Sequence, residues 1–244
     1  MESGAGLTSI ITMETSVQEI IRSAIQKKQI SKWGFSIYKC NTILEDRWKE
    51  FVDIITSTAL EYLSEDQDIS DLLTLPVVSD SSLEQATWQE ARTHFDAHIR
   101  EIITPTLEDY HMRPWVEQEA QVGETFWKVD DKLYFRIHNE PRFAYFLYVD
   151  ETAVESVLNH VRDRKNPEGW IVSLVESNIK DSNLEDSGLD EEDSDDGEED
   201  EENLQQQRKR VRAWDLVRIY ATVQSGGWDE DFQEEDGVYE NPSL

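Results

Sequence analysis

Apolar residues first recur at helical spacing at Val17, Ile20, Ile21, Ala24 and Ile25, which predicts a helix over residues 17–28. Ser16 and Glu19 have the spacing of a capping box at its start, and Lys27 and Lys28 suit the negative end of its dipole. "WGFSIYKC", residues 33–40, is short and rich in aromatic and branched side chains, so it reads as a strand. Helical spacing returns with Trp48, Phe51, Val52, Ile55, Ala59 and Leu63. "SEDQDISD" then reads as a loop, and Pro76 with the serines of "SDSS" breaks the chain again. Over residues 83–103, Trp88, Ala91, Phe95, Ile99 and Ile102 line one helical face, and Pro105 stops it.

"FWKVDDKLYFRI", residues 126–137, has the pattern of a hairpin turning at Asp130 and Asp131. "RFAYFLYV", residues 142–149, is apolar or aromatic almost throughout, which predicts a strand covered on both faces and placed centrally in a sheet. Val154, Val157, Leu158 and Val161 give a short helix, and "WIVSLVES" another strand. Val211, Trp214, Val217, Tyr220 and Ala221 outline a last helix ending at Gly226 and Gly227. Strands and helices interleave without a regular βα alternation. The expected class is therefore α+β: a small, mainly antiparallel sheet covered by helices, with a disordered acidic insertion.

The expected organisation follows. Residues 1–16 are a disordered start, and residues 17–224 form one domain interrupted by an acidic loop at 178–207. Residues 225–244 are an acidic polar tail. The chain has 244 residues, 38% of them hydrophobic and eight of them Trp, enough apolar surface for a substantial core. Trp33, Trp88, Trp115, Trp127 and Trp170 are read first as core residues and only second as ligand or partner anchors.

The net charge of −30 opposes generic binding to nucleic acid or to an anionic membrane. Thirteen acids and no base fall within residues 185–202; without them, 40 acids still face 23 bases. Such a block repels itself and buries nothing, so it is expected to stay disordered, and its bland reading is a solvated loop. Ser182, Ser187 and Ser194 stand before acids and are candidate phosphorylation sites. "DEEDSDDGEEDE" lacks the ligand pattern of an EF-hand. Beyond the acids, Lys209, Arg210 and Arg212 fit a short nuclear-import pattern; the alternative is that these cations simply offset the acids before them.

Candidate chemistry is sparse. His94 and His98, four apart on one helical face, have the spacing of a two-histidine metal site, but Phe95 stands where a zinc-protease motif needs Glu. Two half-exposed histidines on an amphipathic helix is the simpler reading. Cys40 is the one cysteine, so no intrachain disulfide or thiolate cage is expected, and a core thiol fits better than a nucleophile. His111, His138 and His160 show no grouping. No phosphate loop, dinucleotide glycine pattern or nucleophile elbow is present, and none of the ten glycines forms a phosphate cradle. No cofactor and no catalytic residue are expected.

Several segments together resemble an uncharacterised protein family of filamentous fungi. "KWGFSIYKC" matches its W-G-F-x-[IV]-Y-[RK]-[CT] strand, followed by the helix of "RWKEF". "ARTHF", "FAYFLYVDETAVESVLNHV", "GWIVSLVE" and the closing "GGWDEDF" are similar to later segments of the group. The resemblance spans roughly residues 32–232, with gaps, and the acidic run is where this chain departs from it. It implies a fungal, intracellular protein with no assigned activity and no catalytic residue to carry over. Some proteins of this kind are encoded beside secondary-metabolite genes, which implies an accessory.

The functional expectation is a non-catalytic soluble accessory or protein-interaction module, its acidic run favouring a basic protein partner. The alternatives are an enzyme or metabolite-binding accessory of a fungal secondary-metabolite pathway, and a nuclear regulatory protein. The expected location is cytoplasmic, or nuclear if Lys209 to Arg212 act as an import signal. No leader or membrane-spanning stretch is expected. Oligomeric state is not encoded in any of these patterns.

Overall fold

The computed structural model describes residues 16–28, 30–103, 140–161, 170–177, 207–225, 233–235 and 238–240. The expected hairpin at 126–137 and the acidic residues 178–206 lie outside them.

Val17–Lys28 (α1) forms as expected. Its capping box is made: the Ser16 amide donates to Glu19 Oε2 at 3.1 Å, and the Glu19 amide donates to Ser16 Oγ at 3.2 Å. Ser36–Lys39 (β1) is the core of the expected strand, and Glu45–Tyr62 (α2) buries Trp48, Phe51, Ile55 and Ala59 along one stripe. The segment read as a loop contains a helical turn, Gln67–Ser70 (α3), because Ile69 is buried there and its carbonyl accepts from Trp33 Nε1 at 2.7 Å. Val77–Val78 (β2) follows.

The helix expected from residue 83 begins later, as Trp88–Ile103 (α4). A 3-10 turn at Ser81–Leu83 and a positive φ of 61° at Gln85 precede it, and a second capping box, Thr87 with Glu90, starts it. Pro141–Ala144 (α5) is a single turn leading into Tyr145–Val149 (β3). Then come Glu151–Val161 (α6), Ile171–Glu176 (β4), Arg208–Arg212 (β5), Leu216–Gln224 (α7), Gln233–Glu235 (β6) and Val238–Glu240 (β7).

The strands form one mixed sheet in the order β2-β1-β3-β4-β5-β7-β6. All five residues of β3 are buried, which fits its expected central place. The α+β class holds. The antiparallel character lies in β3–β4–β5 and in β6–β7, whereas β2–β1–β3 and β5–β7 pair in parallel. The parallel part has a topological cause. The chain crosses from β1 outward to β2 through α2, then back over β1 to β3 through α4. Right-handed crossovers in opposite directions put α2 and α4 on opposite faces of the sheet.

Side-chain contacts agree. Tyr38 and Phe146, on the face opposite to the paired Ile37 and Leu147, meet Phe95 of α4 at ring distances of 5.7 and 4.7 Å. On the other face Trp33 and Phe35 meet Tyr220 of α7 at 5.0 and 5.5 Å. There α1 packs on α7, and α2 packs on α6.

Two further differences stand out. Val211 belongs to β5 and not to the last helix, which starts at Leu216. The segment read as an acidic polar tail carries β6 and β7, with Val211 opposite Tyr239. The far edge of β5 would otherwise present unpaired backbone groups, and β7 takes them up. No helix among the described residues is long and apolar enough to cross a membrane.

Candidate functional site

The switch from outward to inward crossover leaves β1 and β3 adjacent, and in open sheets the crevice beyond the carboxyl ends of such strands is a common ligand site. Here that end is filled. The Cys40 amide donates to the Val149 carbonyl at 3.0 Å, and Asn41 Nδ2 donates to the same oxygen at 3.0 Å. Asn41 Oδ1 accepts from the Ile43 amide, and Asp150 Oδ1 accepts from the Ala153 amide at the start of α6. Cys40 is buried between them, and burial, followed by the Asp150 charge, pushes its thiol up to about 12. A buried, neutral thiol has the character of a core residue.

The open site lies at the other end of the same strands. A pocket of about 360 Å³ sits where the last turns of α4 cross the starts of β1 and β3. Phe35, Val78, Ile99, Ile102 and Phe143 give it apolar walls. Lys32, His98 and Arg142 supply its charged or titratable groups. Its volume is at the lower end of the ~300–1,000 Å³ usual for small-molecule sites.

Backbone geometry makes the space. Gly34, at φ 123°, lets the chain pass Thr74: a Cβ at Gly34 would lie 2.1 Å from the Thr74 carbonyl oxygen. The Thr74 amide in turn donates to the Trp33 carbonyl at 2.8 Å, fixing the strand start against residues 73–74. Arg142 is held by Glu140, whose Oε2 accepts from Nε at 3.0 Å and Nη2 at 2.9 Å, and its guanidinium lies 4.3 Å from the Phe143 ring centre. Lys32 Nζ donates to the Asp71 carbonyl at 3.3 Å.

The two histidines of α4 part company. His98 lines the pocket, while His94 packs edge-on against Tyr38, with ring centres 5.7 Å apart. Their own ring centres are 6.4 Å apart. Among the described residues, His94 Nδ1 and the Tyr38 hydroxyl are buried without hydrogen-bond partners. Burial, then the Asp96 charge, pushes the Tyr38 hydroxyl far above the usual tyrosine range. Asp96 itself accepts from Ser177 Oγ at 2.7 Å, tying α4 to the end of β4. Among the described residues no three His, Cys, Asp or Glu side chains come together to hold a metal ion.

The basic run lies in the sheet. Lys209 is 5% exposed and sits opposite Leu174; Arg210 points outward opposite Ser173. Arg208 Nε donates to Ser173 Oγ at 3.0 Å, with its guanidinium 5.5 Å from the Tyr148 ring centre. An import receptor would reach Lys209 and Arg212 as an extended peptide only if β5 left the sheet. Ser182, Ser187 and Ser194 lie outside the described residues, as do His111, His138, Trp115 and Trp127. Of the remaining flagged tryptophans, Trp33 is fully buried and Trp88 and Trp170 half-buried, in keeping with core roles.

Sequence reasoning singled out His98 for its spacing from His94 and did not single out Lys32, Phe35 or Arg142. Residues 32–36, 74–78, 98–102 and 142–143 meet only through the two crossovers, and no local spacing announces that. Comparisons with protein-family profiles, with curated proteins and with solved structures find no match to this chain.

Proposed function

We propose that the protein is a non-catalytic accessory that works by binding, with the pocket between β1, β2 and the end of α4 as its contact site. One observation carries this reading: an apolar recess with a few polar groups is held open by rigid elements. Ile102, 46% exposed, stands at the recess and is the kind of large apolar residue that a bound group would cover. The accessory role implied by the fungal resemblance agrees with it.

The test is a binding screen of the full chain by thermal shift and ligand-observed NMR against small amphipathic molecules. Ile102→Trp, at an exposed position, should leave the melting temperature nearly unchanged and remove binding. Hits that bind Ile102→Trp as well as the parent would place binding elsewhere.

A protein partner is the second reading, and the sheet edge favours it. Among the described residues β2 pairs only with β1, and Val77 on it is 40% exposed, so an extended segment could add there as a further strand. A basic partner drawn by the acidic run would bind less tightly as salt rises. Enzymatic use of His94 and His98 would instead require a stoichiometric metal in protein purified from its native source.

A further inference from the structure

We infer that the pocket takes a small organic anion: a carboxylate or similar acid carried on an apolar body. The inference rests on the pocket being the binding site and adds the class of ligand. Its basis is a contrast of charge. The chain has 53 acids in 244 residues, so twelve described lining positions would carry about two or three at the average rate. Among the described residues the lining carries none, and its titratable side chains are Lys32, His98 and Arg142.

Each of these has hydrogen-bonding capacity to spare. Glu140, 4% exposed, engages Nε and Nη2 of Arg142 through one oxygen and leaves Nη1 without a hydrogen bond among the described residues. That ion pair and the Phe143 ring hold the guanidinium in place before any ligand arrives, which lowers the ordering cost of binding. Lys32 makes one long hydrogen bond, leaving two ammonium hydrogens. His98 makes none among the described residues. Within a strongly acidic molecule, such a recess is a local positive well facing Phe35, Ile99 and Phe143.

A simpler account competes. The cations could serve only to offset the negative end of the α4 dipole and the acidic surroundings. In that case they would be indifferent to ligand charge. Glu140 also cancels part of the Arg142 charge, so Lys32 carries the discriminating weight.

The experiment compares straight-chain and phenylalkyl carboxylates with the corresponding primary amides, which keep the shape and lose the charge. Affinities for the full chain are measured by calorimetry, alongside Lys32→Met and Ile102→Trp. The carboxylates are expected to bind about tenfold or more tightly than the amides. Lys32→Met should weaken the carboxylates far more than the amides and so bring the two close to equal, and Ile102→Trp should weaken both. Equal binding of acid and amide in the parent, or an acid preference untouched by Lys32→Met, overturns the anion assignment and leaves the binding role standing. If neither class binds, the binding role falls and the anion assignment falls with it.

Discussion

At the scale of single residues, the site and the core depend on a few particular positions. Gly34 is one. Its φ of 123° is a conformation open essentially to glycine, and a Cβ there would overlap the Thr74 carbonyl. Gly34→Ala is expected to cost at least about 2 kcal/mol, read from the denaturant midpoint, because strain and overlap act together. Cys40 is another. Burial holds its thiol protonated up to about 12, whereas an unfolded chain gives up that proton near pH 8.5. Between those values the folded state binds more protons than the unfolded one, so stability is complete below about pH 8.5 and falls as pH rises toward about 12. Tyr148, pushed up to about 12 mainly by burial, adds to the fall only above about pH 10, where unfolded tyrosine titrates. Cys40→Ala should therefore flatten the stability profile specifically between about pH 8.5 and 10, whatever it costs at neutral pH. In the native protein a thiol reagent should label Cys40 only as fast as the chain opens; immediate labelling would contradict its burial.

At the scale of elements, legibility followed hydrophobic period. The stripes of α1, α2 and α6 and the unbroken apolar run of β3 are visible in sequence because burial on one face, or on two, leaves a period. β5 is not, since "RKRVR" has one apolar residue in five. Its cations are accommodated by Ser173, by the Tyr148 ring and by the partner strands on either side, all distant in sequence. Read without those partners, Val211 joins the stripe of the helix behind it. α3 was missed for a related reason: a single buried residue, Ile69, has no period. The β4–β5 pairing also bears on the charged stretch of sequence between the two strands. The Glu176 amide donates to the Gln207 carbonyl at 3.0 Å, so the chain leaves and rejoins the sheet at one point. Loop-closure entropy changes slowly with length. Replacing residues 181–203 by a short Gly/Ser turn should keep the far-UV spectrum and raise stability by on the order of 1 kcal/mol. A drop of several kcal/mol would mean that the insertion packs against the domain.

At the scale of the whole molecule, residues on both sides of the acidic run share one interior. β5 completes the sheet beside β4, and Tyr220 of α7 is 1% exposed against Trp33 and Phe35 from the start of β1. The pocket depends on that union indirectly, because Phe35 is both a pocket wall and a neighbour of Tyr220. This explains why the site was not legible in sequence: its parts are gathered by crossovers that only the assembled sheet fixes. The most direct measurement is thermal melting, with tryptophan fluorescence, of the full chain against a chain ending at Ser177. Loss of β5 and α7 should abolish the cooperative transition and shift the emission to the red as Trp33 meets water. A shortened chain that melts at the same temperature, with its emission unmoved, would contradict a shared core.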